Sequence, residues 1–226
     1  MRGSGARATT MAGKRDLRQA LLEAACEMFA TQGYARTSTA AIVRRSRSSN
    51  GNLFHYFGNK DGLLRAAAAH ELAQRRAFVD PALLPHAAGA ERLGVFAWLQ
   101  AVSGVAALGR LERYLSTVED RAWLEAVMSA QADYNAAVLG ANLPRERLGD
   151  ALLAGHAFAG AVLGALNAMI AAPALPRDAA ACRRIAEMAL RLVGLTPEEQ
   201  RAARRAIDRF ARSSAWRDRD ERFRAA

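Results

Sequence analysis

Apolar residues recur at three- and four-residue spacing through most of this chain, and no stretch alternates as a half-buried strand would. Leu17, Leu21, Leu22, Ala25, Met28 and Phe29 form the first such stripe. Gly33 follows it as a C-terminal glycine does, so a first helix is predicted to close there. The next stretch, Thr37 to Lys60, reads TSTAAIVRRSRSSNGNLFHYFGNK. Ala40, Ala41 and Ile42 give one short helix a small apolar face, and Leu53 and Phe57, four apart, give one to another. Ser46, Arg47, Ser48 and Ser49 cannot continue that face, so a turn is expected there, with a serine capping the helix that follows. Asn59 is placed to cap a further helix through Leu63 and Leu64 toward Phe78. Two helices this short bury too little to hold alone, and the flanking helices are expected to clamp them.

Pro81, Pro85 and Gly89 interrupt the helical pattern, which puts a domain boundary within residues 80–91. Beyond it one helix is predicted from Glu91 to about Leu108 and a short one near Leu111 to Leu115. Ser116 with Glu119 reads as a capping box for a helix to about Leu139. Another spans about Arg145 to Ala171, then one from Asp178 to Leu192, and Thr196-Pro197-Glu198-Glu199 starts a last one. The expected fold is all-α. A three-helix helix-turn-helix domain occupies residues 14–79 and a helical bundle residues 80–213, between a flexible arm at 1–13 and a basic tail at 214–226.

With 226 residues the chain can bury a sizeable core. Its net charge of +10 is unevenly spread: residues 1–70 hold eleven basic and four acidic side chains, 71–200 are close to neutral, and 201–226 hold nine basic and four acidic. Charge gathered around the short helices suits contact with a polyanion. Lysine occurs only at Lys14 and Lys60, so a bias toward arginine is the competing explanation, above all for the tail. Cys26 and Cys182 lie far apart in no metal or redox spacing, which points to reduced thiols in a cytoplasmic protein. Residues 151–176 carry no charge and are long enough to cross a bilayer. They are mostly Ala and Gly, include His156 and Asn167, and lack an aromatic belt, so a protein-packing helix is expected and no membrane. No Gly-x-Ser-x-Gly, phosphate-cradling glycine loop or His-Glu-x-x-His occurs, so neither an enzyme nor a metal or cofactor is expected.

The second short helix leaves Asn50, Asn52, His55 and Tyr56 facing outward, groups that bond to base edges or phosphates from within a major groove. Ala25, Phe29, Gly33, Tyr34, Thr37, Ser38, Ile42, Ser49, Gly51, Leu53, Phe54, Tyr56, Phe57 and Lys60, in this order, resemble the signature of the TetR-type transcriptional regulators, over roughly Lys14 to His70. Two positions depart from it. Where the family usually has Ala-Gly-Val in the turn, this chain has Ser46, Arg47 and Ser48, so either Arg47 is strained or the turn is reshaped. Where the family commonly has a tyrosine whose hydroxyl reaches DNA, this chain has Phe54, which either packs or touches a thymine methyl.

The resemblance implies a ligand-responsive repressor that binds a palindromic double-stranded operator as a homodimer. Ser38, Thr39, Tyr56 and Lys60 are then expected on phosphates, and Asn50, Asn52 and His55 on bases. Gly51 lets the backbone come close, and Arg47 and Ser49 complete the interface. For the dimer interface the resemblance assigns the helices Arg145 to Ala171 and Asp178 to Leu192. Ala157, Gly160, Ala161 and Gly164 would offer a smooth face, and Ile185, Met188, Ala189 and Leu192 a stripe to meet it. A small apolar or aromatic effector would lie among Phe96, Trp98, Leu99, Val102, Trp123, Val127, Tyr134, His156 and Phe158. For the dimer helices and the aromatics the competing explanation is plain monomeric core. For the whole chain it is a helical ligand-binding or scaffold protein with a vestigial reader.

Overall fold

The computed structural model describes residues 5–80, 88–117, 119, 121–172 and 174–225. Its regular elements are helices: α1 (Gly5–Gln32), α2 (Thr39–Arg45), α3 (Asn50–Phe57), α4 (Lys60–Val79), α5 (Gly89–Thr117), α6 (Arg121–Gly140), α7 (Arg145–Leu148), α8 (Ala151–Ala171), α9 (Ala179–Leu192), α10 (Pro197–Ala211) and α11 (Ser214–Ala225). Most of the arm expected at residues 1–13 is therefore helical, continuous with α1 from Gly5. The chain divides into two compact units. One comprises residues up to Leu72 with Gly109–Leu124, the other Ala73–Leu108 with Glu125–Ala226. The chain passes from one unit to the other within α4, α5 and α6, and residues 81–87 of the proline-containing stretch lie outside the described residues.

In the first unit α1, α2 and α3 pack on one another around Leu21, Ala25 and Phe29 of α1, Ile42 of α2 and Leu53 of α3, all fully buried. Leu63 and Ala67 of α4 close the same core, and Trp123 packs against it. Each large side chain so buried contributes about 1.5–3 kcal/mol, which is how a unit of such short helices holds together. Ser38 and Ser49 cap α2 and α3, accepting from the N–H groups of Ala41 and Asn52 at 3.2 Å each. Asn59 Oδ1 accepts from Gly62 at 2.7 Å at the start of α4.

The second unit is built on α5, whose Leu93, Phe96, Ala97 and Leu99 face Phe158, Val162 and Leu166 of α8, Ile185 and Ala189 of α9 and Ile207 of α10 in one core. Several predicted boundaries shift. The two helices expected between Glu91 and Leu115 are one, with Ser116 inside it instead of capping the next. The helix expected from Arg145 breaks at Gly149, whose φ of +56° is left-handed, and Asp150 then caps α8 through Leu152 and Leu153. The last helix starts where expected, with Thr196 and Glu199 forming a capping box at the start of α10. The C-terminal segment folds as α11 and docks Trp216 against Trp98, with ring centroids 4.7 Å apart, and beside Phe210 and Phe78.

Candidate nucleic-acid interface

The turn between α2 and α3 is closed by two backbone bonds, Ser48 N–H to Val43 C=O at 3.1 Å and Arg47 N–H to Arg44 C=O at 3.3 Å. With Ser46 as C-cap this is a Schellman closure, which needs a left-handed residue directly after the cap and normally takes glycine there. Arg47 fills that place at φ +52°, so of the two alternatives in the sequence the strained one holds and the turn keeps its shape. The Asn52 amide donates to Ser48 Oγ at 3.2 Å and ties α3 back to the turn.

The outward face of α3 carries Asn50, Gly51, Phe54 and His55, all exposed, while Asn52 and Tyr56 are half-buried. Tyr56 leans on the core and meets His55 edge-on at 5.0 Å. Phe54 is 54% exposed, the one large apolar side chain of the first unit left so open among the described residues. A side chain on Gly51 would meet only Ser49 Oγ, at 3.8 Å. Around this face lie Ser38, exposed, and Thr39, half-buried.

The basic groups differ in their freedom. Arg45 is held by a bidentate pair with Glu27, whereas Arg44 and Arg47 are exposed. Lys60 Nζ sits 3.9 Å from the centroid of the Tyr34 ring, and the Tyr34 hydroxyl donates to Asp61 Oδ1. Burial, with the Asp61 carboxylate next, pushes the Tyr34 phenol up to about 12. Partial burial draws the Lys60 ammonium down, and Asp61 offsets part of that. The ammonium is thus pinned over a ring that stays neutral. Neither the Tyr34–Asp61 nor the Glu27–Arg45 contact has a sequence signature, since the partners are 27 and 18 positions apart.

The residues expected to enclose an effector do not come together as one set. Phe96 stacks on Phe158 at 5.5 Å and meets Tyr134 at 6.0 Å, and Leu99 is buried in the same core. Val102 packs at its edge and Val127 is half-buried on α6. Trp98 turns instead to Phe210 and Trp216, Trp123 belongs to the core of the first unit, and His156 is exposed on α8. A polar string lies within this core. Gln100 and Gln131 both donate to Asn135 Oδ1 at 3.2 Å, and Arg76 Nε donates to Gln131 at 3.3 Å. Gln100, Ser103 and Asn135 are buried. The spacing 96, 100, 103 would have placed Gln100 and Ser103 on the Phe96 face of α5.

On α8 and α9 the assigned dimer residues divide too. Ile185 and Ala189 are buried in the unit's own core, and Ala161 packs against it. Met188 and Leu192 are 47% and 63% exposed, and a Cβ on Gly160 or Gly164 would meet nothing within 4 Å. Ala157 is half-buried. Leu153, His156, Gly160, Leu163, Gly164 and Asn167 are exposed along one stripe of α8. By length and composition α8 would pass as a membrane span, with 28% of its 18-residue window buried.

Residues 21–67 match the family described as bacterial regulatory proteins, tetR family. An HTH-type transcriptional repressor of Mycobacterium tuberculosis is 40% identical over 58 residues, 26% of this chain and 31% of its own length. The HTH-type transcriptional regulator BetI of Burkholderia thailandensis is 39% identical over 61 residues, again 26% and 31%. The chain thus spans about a third of the length of these curated relatives. Among solved structures, the multidrug binding protein EbrR, complexed with imidazole, superposes with a TM-score of 0.59 at 20% identity, over 80% of this chain and 91% of its own. That likeness extends the shared all-α fold well beyond the matched segment. Residues 21–67 of this chain thus carry the helix-turn-helix domain of the tetR family of bacterial regulatory proteins.

Proposed function

We propose that this protein is a DNA-binding transcriptional regulator, a cytoplasmic repressor that binds a palindromic operator as a homodimer and lets go when a small apolar or aromatic molecule enters its helical bundle. The observation that carries the reading is the outward face of α3. A short, well-capped helix presents Asn50, Gly51, Phe54 and His55 to solvent, in the segment where the net charge is most positive. Asn50 offers an amide to adenine, Ser38, Thr39 and Lys60 offer phosphate contacts beside it, and Gly51 leaves room for the backbone to approach.

Self-association supplies the second reader. Leu153, Leu163, Met188 and Leu192 with Gly160 and Gly164 leave an apolar, partly flat surface on α8 and α9 that a second copy would cover. Two readers would then meet half-sites about 34 Å apart, or a multiple of that. For the effector, the Phe96, Tyr134 and Phe158 rings beside the Gln100–Asn135 pair offer stacking and amide bonds together. The EbrR structure, of like fold, holds imidazole, and ligands of that aromatic kind are the first to try.

The deciding experiment is a gel shift on the DNA flanking the protein's own coding region across a salt series. A regulator loses affinity steeply as salt rises. A protein that ignored every duplex even at low salt would be a helical binding or scaffold protein instead.

A further inference from the structure

We infer that Phe54 is a specificity element that reads the C5-methyl group of a thymine, one or two base steps from the adenine read by Asn50. The inference rests on the DNA-binding reading above and narrows it to one contact.

Phe54 is 54% exposed, on the same outward face as Asn50 and His55, while its neighbours on α3, Leu53 and Phe57, are turned into the core or against it. Among the described residues no ring or cation stacks on Phe54, and more than half of its surface is open to solvent. A phenyl ring neither donates nor accepts a conventional hydrogen bond. Of the groups that base pairs display in the major groove, the thymine methyl is the apolar one, and the others are donors or acceptors that the ring would strip of water without replacing it. Asn50 stands four positions earlier, so the two side chains rise from one helix face with Cβ atoms about 5–6 Å apart. Base steps on one strand are spaced by about 3.4 Å. The amide and the ring therefore fall on positions one or two steps apart. Asn52 is less free to take this part, since its amide holds Ser48.

The full chain is first used to select bound sequences from random duplex DNA. In the selected duplex each thymine is replaced in turn by uracil, which removes the methyl and leaves every hydrogen-bonding group. One thymine per half-site is expected to matter, with about a four-fold loss of affinity on going to uracil, the worth of one buried methyl. Phe54→Ala should bind the thymine and uracil duplexes alike, and Phe54→Leu should keep part of the difference. Because the ring is exposed, thermal unfolding of both variants should match the parent. Uracil tolerated at every position by the parent, or a methyl effect that survives in Phe54→Ala, overturns the inference while leaving DNA binding intact. No binding to any duplex at low salt overturns it together with the reading beneath it.

Discussion

An arginine in a glycine's place is the most telling single residue of the turn. Left-handed backbone costs a residue with a Cβ about 1–2 kcal/mol, while glycine gives back about 0.5–1 kcal/mol through its extra freedom when unfolded. Arg47→Gly should therefore raise stability by up to about 1 kcal/mol, read by denaturant unfolding, provided the turn keeps its two backbone bonds. The same change removes an exposed cation beside α3. If Arg47 meets a phosphate, affinity should fall alike on all duplexes and the salt dependence should lose about one charge. Affinity untouched by a stabilising Arg47→Gly would leave the strain without a function. The asparagines should differ from each other. Asn50→Ala is expected to flatten base preference with little change in melting, whereas Asn52→Ala also frees Ser48 and should destabilise the turn by about 1 kcal/mol. Lys60→Ala should weaken every sequence equally.

Elements were legible in this sequence wherever a local rule sets them. Ser49, Asn59 and Thr196 cap helices where the sequence suggests helix starts, because a cap and its N–H partner lie within three residues of each other. Interruptions were harder to judge. Residues 109–115 hold no proline, so nothing local decides whether α5 continues, and the break at Gly149 depends on a left-handed φ that Asp150 then exploits as a cap. Which face of α8 and α9 turns inward is a tertiary matter that the spacing of small residues does not decide. Among the glycines of α8 the close approach within the chain is at Gly155, where a Cβ would sit 2.5 Å from the Ala132 carbonyl oxygen, while Gly160 and Gly164 stay open. Gly155→Ala should consequently lower the melting temperature, whereas Gly160→Arg should leave a folded protein that no longer dimerises in sedimentation. At the start of α10 the capping box is coupled to charge. The Arg147 guanidinium, with the Thr196 backbone, holds the Glu199 carboxyl down to about 2. A depressed carboxyl stabilises the fold above the usual carboxylate range and ceases to do so as pH falls toward 2. Glu199→Ala should cost about 1 kcal/mol at neutral pH and less in acid, and Glu199→Gln, which can still accept the cap bond, should cost less at neutral pH.

At the scale of the whole molecule the chain crosses between its two units three times, within α4, α5 and α6. Composition could not show this, because helices that span a boundary keep one continuous apolar stripe while the neighbours it faces change. The tryptophans report the division directly. Trp123 packs against the core that supports α3, whereas Trp98 and Trp216 pair at 4.7 Å in the other unit. A Trp98→Phe, Trp216→Phe protein would fluoresce from Trp123 alone, and a Trp123→Phe protein from the pair alone. If a ligand of the bundle acts on the reader, an aromatic compound that weakens operator binding should change the emission of both proteins, the Trp123 signal moving with the same concentration dependence as the loss of DNA. A compound that shifts the Trp98–Trp216 emission, leaves Trp123 unmoved and still releases the operator would exclude a route through the Trp123 end of α6. The control by effector would then have to run through another of the crossing helices, with α4, which bears both Lys60 and Arg76, the next to test.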